Sequence, residues 1–147
     1  MPYVTSYVDD GKGLHKNGSG ILTGLEIFTS AMQEGINVER AQKLRYGLID
    51  FSEVTEMRVT PDDIRRIVEV NRRLAAFTQG ALVAIVAPGP LPYAMSRLWH
   101  TFSQDLGWKS NVFHTRVDAL AWLRKQFTLQ SGSETVLDEF PSLKQIV

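Results

Sequence analysis

Short apolar runs and helical repeats alternate along the middle of the chain. Leu44-Arg45-Tyr46-Gly47-Leu48-Ile49 reads as a strand, Asp50-Phe51-Ser52 and a polar turn follow, and Thr60-Pro61-Asp62-Asp63 opens a helix. Thr60 can accept from the first free N–H groups, Pro61 fits the first helical position because no partner exists there for the N–H it lacks, and Asp62 and Asp63 put negative charge at the positive end of the helix dipole. In that helix Ile64, Ile67, Val68 and Leu74 share one side. Arg65, Arg66, Glu69, Arg72 and Arg73 share the other, with Asp62/Arg66 and Glu69/Arg73 at the four-residue pairing distance. The continuous run Ala81 to Ala87 is too short for a buried helix and predicts a strand covered on both faces, at the centre of a sheet.

The flanking segments extend the pattern. Tyr3 to Val8 predicts a strand, and Asp9-Asp10-Gly11-Lys12-Gly13 a turn into a weaker strand through about Lys16, together an edge hairpin. Past Asn17-Gly18-Ser19-Gly20, Thr23 and Glu26 have capping-box spacing and Leu25, Phe28 and Met32 share a face of a first helix ending near Gly35. Residues 37–43 are a polar connection with room for a helical turn. Pro88-Gly89-Pro90 precedes Leu91, Ala94, Met95, Leu98, Trp99, Phe102 and Leu106 in helical repeat. Asn111 to His114 is a short strand, Thr115 with Asp118 an N-cap arrangement, and Val117, Leu120, Ala121, Leu123 and Phe127 a last amphipathic face. The alternation predicts an α/β fold: a mixed, mostly parallel sheet of four to five strands with about four helices over residues 1–127, the segments 44–49 and 81–87 lying side by side and pointing the same way. Gln130-Ser131-Gly132-Ser133-Glu134 reads as a linker, and the 128–147 tail carries Val136, Leu137, Phe140, Leu143 and Ile146, which either cover apolar surface on this subunit or a neighbouring one or belong to a disordered chain end.

Composition narrows the function classes. The 147 residues make one domain, a size that buries roughly 70% of its unfolded surface. Sixteen basic and sixteen acidic side chains balance, so no bulk charge favours nucleic acid. Without cysteine there is no disulfide or thiolate chemistry, and His15, His100 and His114 lack metal-ligand spacing, so no metal or cofactor is expected. No basic-then-apolar leader and no apolar run of roughly 20 residues is present, which makes a soluble cytoplasmic protein the expectation.

Gly20-Ile21-Leu22-Thr23, Leu48-Ile49-Asp50-Phe51-Ser52, Val83 to Ala87, Tyr93-Ala94-Met95-Ser96-Arg97, and Val112-Phe113 followed by Ala119 to Leu123 together resemble the STAS domains, within them the SpoIIAA-like group that is also compared with Sec14-type lipid-binding domains. The resemblance spans roughly Tyr3 to Phe127 and implies the fold above, shared by anti-anti-sigma regulators, transporter appendages and signalling modules. In sporulation-type members a partner kinase phosphorylates a serine at the start of a helix. Here Arg58 and Val59 stand where its acid and switch serine would be, Thr60 matches only the following residue, and Asp62 and Asp63 would repel an added phosphate.

Strand-end geometry collects the candidate site. Parallel sheets bind ligands beyond their carboxyl ends, which gathers Asp50, Phe51, Ser52, Pro88 to Pro90, His114 and Thr115 on one rim. Asp50 could act as acid, base or partner contact, or accept N–H bonds in its own turn; Ser52 sits in no nucleophile elbow. Tyr93 and Arg97, one helical turn apart, could hold an acidic or phosphate-bearing ligand or simply pack on each other. His100 is expected to face solvent, and the four-arginine face to be a solvated surface. Trp99, Phe102, Trp122 and Phe127 read as core, but a cavity beside Trp99 or Trp122 would favour a lipophilic ligand. The first expectation is a non-enzymatic regulatory or protein-interaction module whose partner docks near Asp50 to Asp63, Ser52 and Thr60 included. The alternative is a carrier of a lipid-like or nucleotide-like molecule using the rim and the third helix, and a small enzyme of unknown reaction is third. A homodimer is left open, and a roomy cavity would favour the carrier.

Overall fold

The computed structural model describes residues 2–132 and 136–144. Strands β1 (Tyr3–Val8), β2 (Gly13–Thr23), β3 (Tyr46–Arg58), β4 (Leu82–Val86) and β5 (Lys109–Phe113) form one sheet in the order β1-β2-β3-β4-β5. The β1–β2 pair is antiparallel and the other three pairs are parallel. Helices α1 (Gly24–Glu34), α2 (Val38–Ala41), α3 (Pro61–Ala75), α4 (Pro90–Phe102), α5 (Arg116–Ser131) and α6 (Val136–Glu139) and a 3-10 turn, Pro141–Leu143, complete the chain. The segments 44–49 and 81–87 do lie side by side in the same direction, Tyr46 opposite Leu82 and Asp50 opposite Val86.

Each face of the sheet has its own core. Ile49, Phe51, Val83, Ile85 and Val112 meet α1, α3 and α4 on one side; Tyr46, Leu48, Leu82, Ala84 and Val86 meet α5 and the tail on the other. Val136, Phe140 and Leu143 are buried there, Phe140 stacking on Phe127 at 4.1 Å and meeting Tyr46 edge-on at 5.8 Å. The tail's Ile146 and residues 133–134 of the expected linker lie outside the described residues, while Gln130 and Ser131 continue α5.

Several expectations are corrected. Neither β2 nor β3 stops early: β2 runs through Thr23, and β3 passes Asp50-Phe51-Ser52 and the expected polar turn to end at Arg58. The two polar segments satisfy each other's backbone groups in a parallel ladder, Ser19 to Thr23 against Glu53 to Arg58, and two register shifts absorb the glycine-rich stretch where Gly20 takes φ 60. The middle strand is therefore β3, with the fully buried β4 beside it. Helix α1 turns Gly24, Ala31 and Glu34 inward and leaves Leu25 72% and Met32 50% exposed. It packs closely on α3, and a Cβ at Gly24 would collide with the Asp63 carboxylate, so small residues face the contact. On α3 the ion pairs form at three-residue spacing, Arg65–Asp62 and Arg72–Glu69, both at 3.1 Å. Leu91 and Ala94 on α4 and Val117 and Ala121 on α5 are exposed, because each helix buries a narrower stripe than its apolar content suggests.

Candidate functional site

The strand-end rim forms around Asp50, which shares its level with Val86 and Phe113 at the ends of β4 and β5. The Asp50 carboxylate accepts from Ser52 N at 2.8 Å and from the Ser52 hydroxyl through Oδ1, and from Arg116 Nη1 at 3.0 Å through Oδ2. Both oxygens are thus engaged within the chain, and the Arg116 charge is balanced by the carboxylate. Tyr93 stacks on His114, ring centroids 4.1 Å apart, rather than on Arg97, which is exposed. Phe51 points to the opposite side of the sheet from Asp50 and lies in the α1/α3/α4 core. Thr60 stands apart from the rim, eight residues beyond Ser52 and past the end of β3 at Arg58. His100 does not simply face solvent: Nδ1 lies 2.7 Å from Ser110 Oγ, and burial lowers its pKa.

A space of about 120 Å³ lies between the sheet and α1, α3 and α4. Ile27, Ile49, Phe51, Met57, Ile64, Ile67, Val83, Ile85, Met95, Trp99 and Trp108 supply apolar walls. Polar lining groups are few. Asn71 Oδ1 accepts from Trp99 Nε1 at 3.0 Å, and Thr78 Oγ1 accepts from Trp108 Nε1 at 2.9 Å. Ser96, 4% exposed on the inner face of α4, has a hydroxyl without a hydrogen-bond partner among the described residues. At the β2 side Lys16, 4% exposed, forms an ion pair with the equally buried Glu34, and Lys16 Nζ donates to Ser30 Oγ at 2.7 Å. Tyr3 lays its ring 5.3 Å from the Lys16 ammonium. Burial pulls the Lys16 pKa from 10.5 down to about 7.

No family model matches the sequence, nor does any curated protein. One solved structure is similar: an uncharacterised protein of the DUF3478 family from Shewanella loihica PV-4, described as having a SpoIIAA-like fold. The likeness has a TM-score of 0.50 at 18% identity and covers 82% of this chain and 91% of that one. The chain has a SpoIIAA-like fold. At that identity the likeness carries the fold alone. Within this SpoIIAA-like sheet, Arg58 closes β3, Val59 is buried, and Thr60 is held in a capping box: it accepts from Asp63 N at 3.2 Å while its own N–H donates to Asp63 Oδ2 at 2.9 Å.

Of the residues expected at the site, Asp50, Ser52, Tyr93 and His114 lie on the rim, Phe51 lines the cavity, and Arg97 and Thr60 stand apart from the contacts just described. Lys16, Glu34, Asn71 and Ser96 were not singled out from sequence. Period-two alternation with buried Leu14 was the available signal for Lys16, and the three-residue step to buried Trp99 the signal for Ser96.

Proposed function

We propose that the protein binds a small, largely apolar molecule in the cavity between the sheet and α1, α3 and α4. The supporting observation is the cavity itself, walled by aliphatic and aromatic side chains with Trp99 among them. Protein interiors are close-packed, and at about 24 cal/mol per Å³ an unfilled space of this size costs about 3 kcal/mol. A ligand offsets that cost by restoring the missing contacts. The volume suits a compact ligand: a dry cavity of about 150 Å³ accepts benzene, whereas drug-sized ligands need several hundred Å³. Native mass spectrometry of the full chain purified from its own host, together with a titration of added toluene, tests the reading. Added mass that leaves on denaturation, or saturable toluene binding that raises Tm, is the expected result. A ligand-free protein with which toluene does not interact overturns it.

A regulatory or protein-interaction module is the second reading, and one observation favours it. Leu25, Met32 and Ile36 are exposed by 72%, 50% and 70%, at spacings that line one outer side of α1 and its C-terminal turn. Replacing Leu25 and Met32 with Glu should abolish partner recovery while leaving Tm unchanged; unaltered recovery removes this reading.

A further inference from the structure

We infer that the cavity selects an uncharged molecule with a single hydroxyl or carbonyl group, which the Ser96 hydroxyl takes up. The inference rests on the cavity being a ligand site and specifies which chemistry it accepts. Ser96 is 4% exposed, lines the cavity and has no hydrogen-bond partner among the described residues. A hydroxyl removed from water without a replacement partner is destabilising, and a ligand with one donor or acceptor relieves this. The neighbouring polar groups have less to offer. Asn71 Oδ1 and Thr78 Oγ1 already accept from the indole N–H groups of Trp99 and Trp108, and Thr78 Oγ1 also donates to Leu74 O at 2.8 Å.

Charge is excluded by a different part of the lining. Lys16 and Glu34 face the cavity as a pair, each occupied by the other. A carboxylate ligand would enter as a third charge, and binding it to Lys16 would leave Glu34 buried without its partner; an ammonium ligand would strand Lys16 in the same way. The volume of about 120 Å³, a little below the roughly 150 Å³ that accepts benzene, sets the size near benzene's own, about six non-hydrogen atoms.

Two isosteric probe pairs test this on the full chain by calorimetric titration: toluene with phenol, which exchange a methyl for a hydroxyl, and 2-pentanone with butanoate, which exchange neutral for anionic. The native protein should bind phenol at least as tightly as toluene and 2-pentanone at least tenfold more tightly than butanoate. In Ser96→Ala, phenol should weaken by about tenfold, the upper range for one neutral hydrogen bond, while toluene affinity holds and shows the cavity intact. Phenol and toluene responding identically to Ser96→Ala, or butanoate binding as well as 2-pentanone, overturns the inference and leaves the apolar-ligand reading standing. Failure of both toluene and phenol to bind the native chain removes that underlying reading, and the inference with it.

Discussion

The buried pair Lys16–Glu34 is the residue-scale feature with the largest consequence. Each partner is desolvated, so removing one leaves the other charged and uncompensated, a loss of about 3–5 kcal/mol, whereas replacing both with apolar side chains of similar volume is about neutral or better. Urea unfolding should therefore show Lys16→Met strongly destabilised and Lys16→Met/Glu34→Leu near the native value; a double variant as damaged as the single one contradicts the account. The same lysine sets a pH dependence. Its pKa is drawn down by burial to about 7, while an unfolded lysine holds its proton to about 10.4. Between these values the unfolded chain binds more protons at this position, so the contribution of Lys16 to stability is flat below pH 7 and rises toward pH 10. The urea midpoint should increase from pH 7 to 9 in the native chain, and the increase should vanish in the double variant. The rim was readable in sequence because Asp50 and Phe113 end apolar runs. The polar lining of the cavity was not, because a charged Lys16 within a glycine-rich segment and a serine within an apolar helix look like surface residues until the layers close over them.

At the scale of elements, local chemistry was legible and non-local pairing was not. The caps at Thr23, Thr60 and Thr115 depend on residues three positions away, and all three form. Thr60→Ala should cost about 1 kcal/mol, read as a lower urea midpoint with an unchanged m-value. Gly24→Ala should cost more than that, although alanine is the better helix former, because the added methyl displaces the Asp63 carboxylate that closes the α3 capping box. A smaller effect would mean that the α1–α3 contact yields easily. The far halves of β2 and β3 escaped the pattern for a related reason. Residues 53–58 carry three charged side chains and read as a turn, yet their backbone groups are paired with residues 19–23, some thirty-five positions earlier. Strand length here was decided by a partner that no local window contains.

The whole molecule depends on one sheet shared by two cores, and the C-terminal segment belongs to the core opposite the cavity. Ser142 donates through N at 2.9 Å and Oγ at 2.7 Å to Asp9 Oδ1, and the other oxygen of Asp9 accepts from Tyr46 OH at 2.7 Å, which in turn lies 3.0 Å from His15 Nε2. The tail is thus tied to the β1–β2 turn and, through Tyr46, to the middle strand. Val136, Phe140 and Leu143 are worth about 1.5–3 kcal/mol each when fully buried, together about 5–9 kcal/mol against a usual total of 5–15. A chain ending at Gly132 exposes Phe127 and Tyr46 and should lose most of its stability, with a collapsed near-UV signal. Since β3 and β4 present alternate residues to the two cores, the loss should reach the cavity across the sheet: toluene should no longer bind the truncated chain. Phe140→Ala, which removes one ring and keeps the tail, should cost about 3–5 kcal/mol and retain toluene binding wherever the variant is folded. A truncated chain with an unchanged urea midpoint would show that the tail lies on the fold without supporting it.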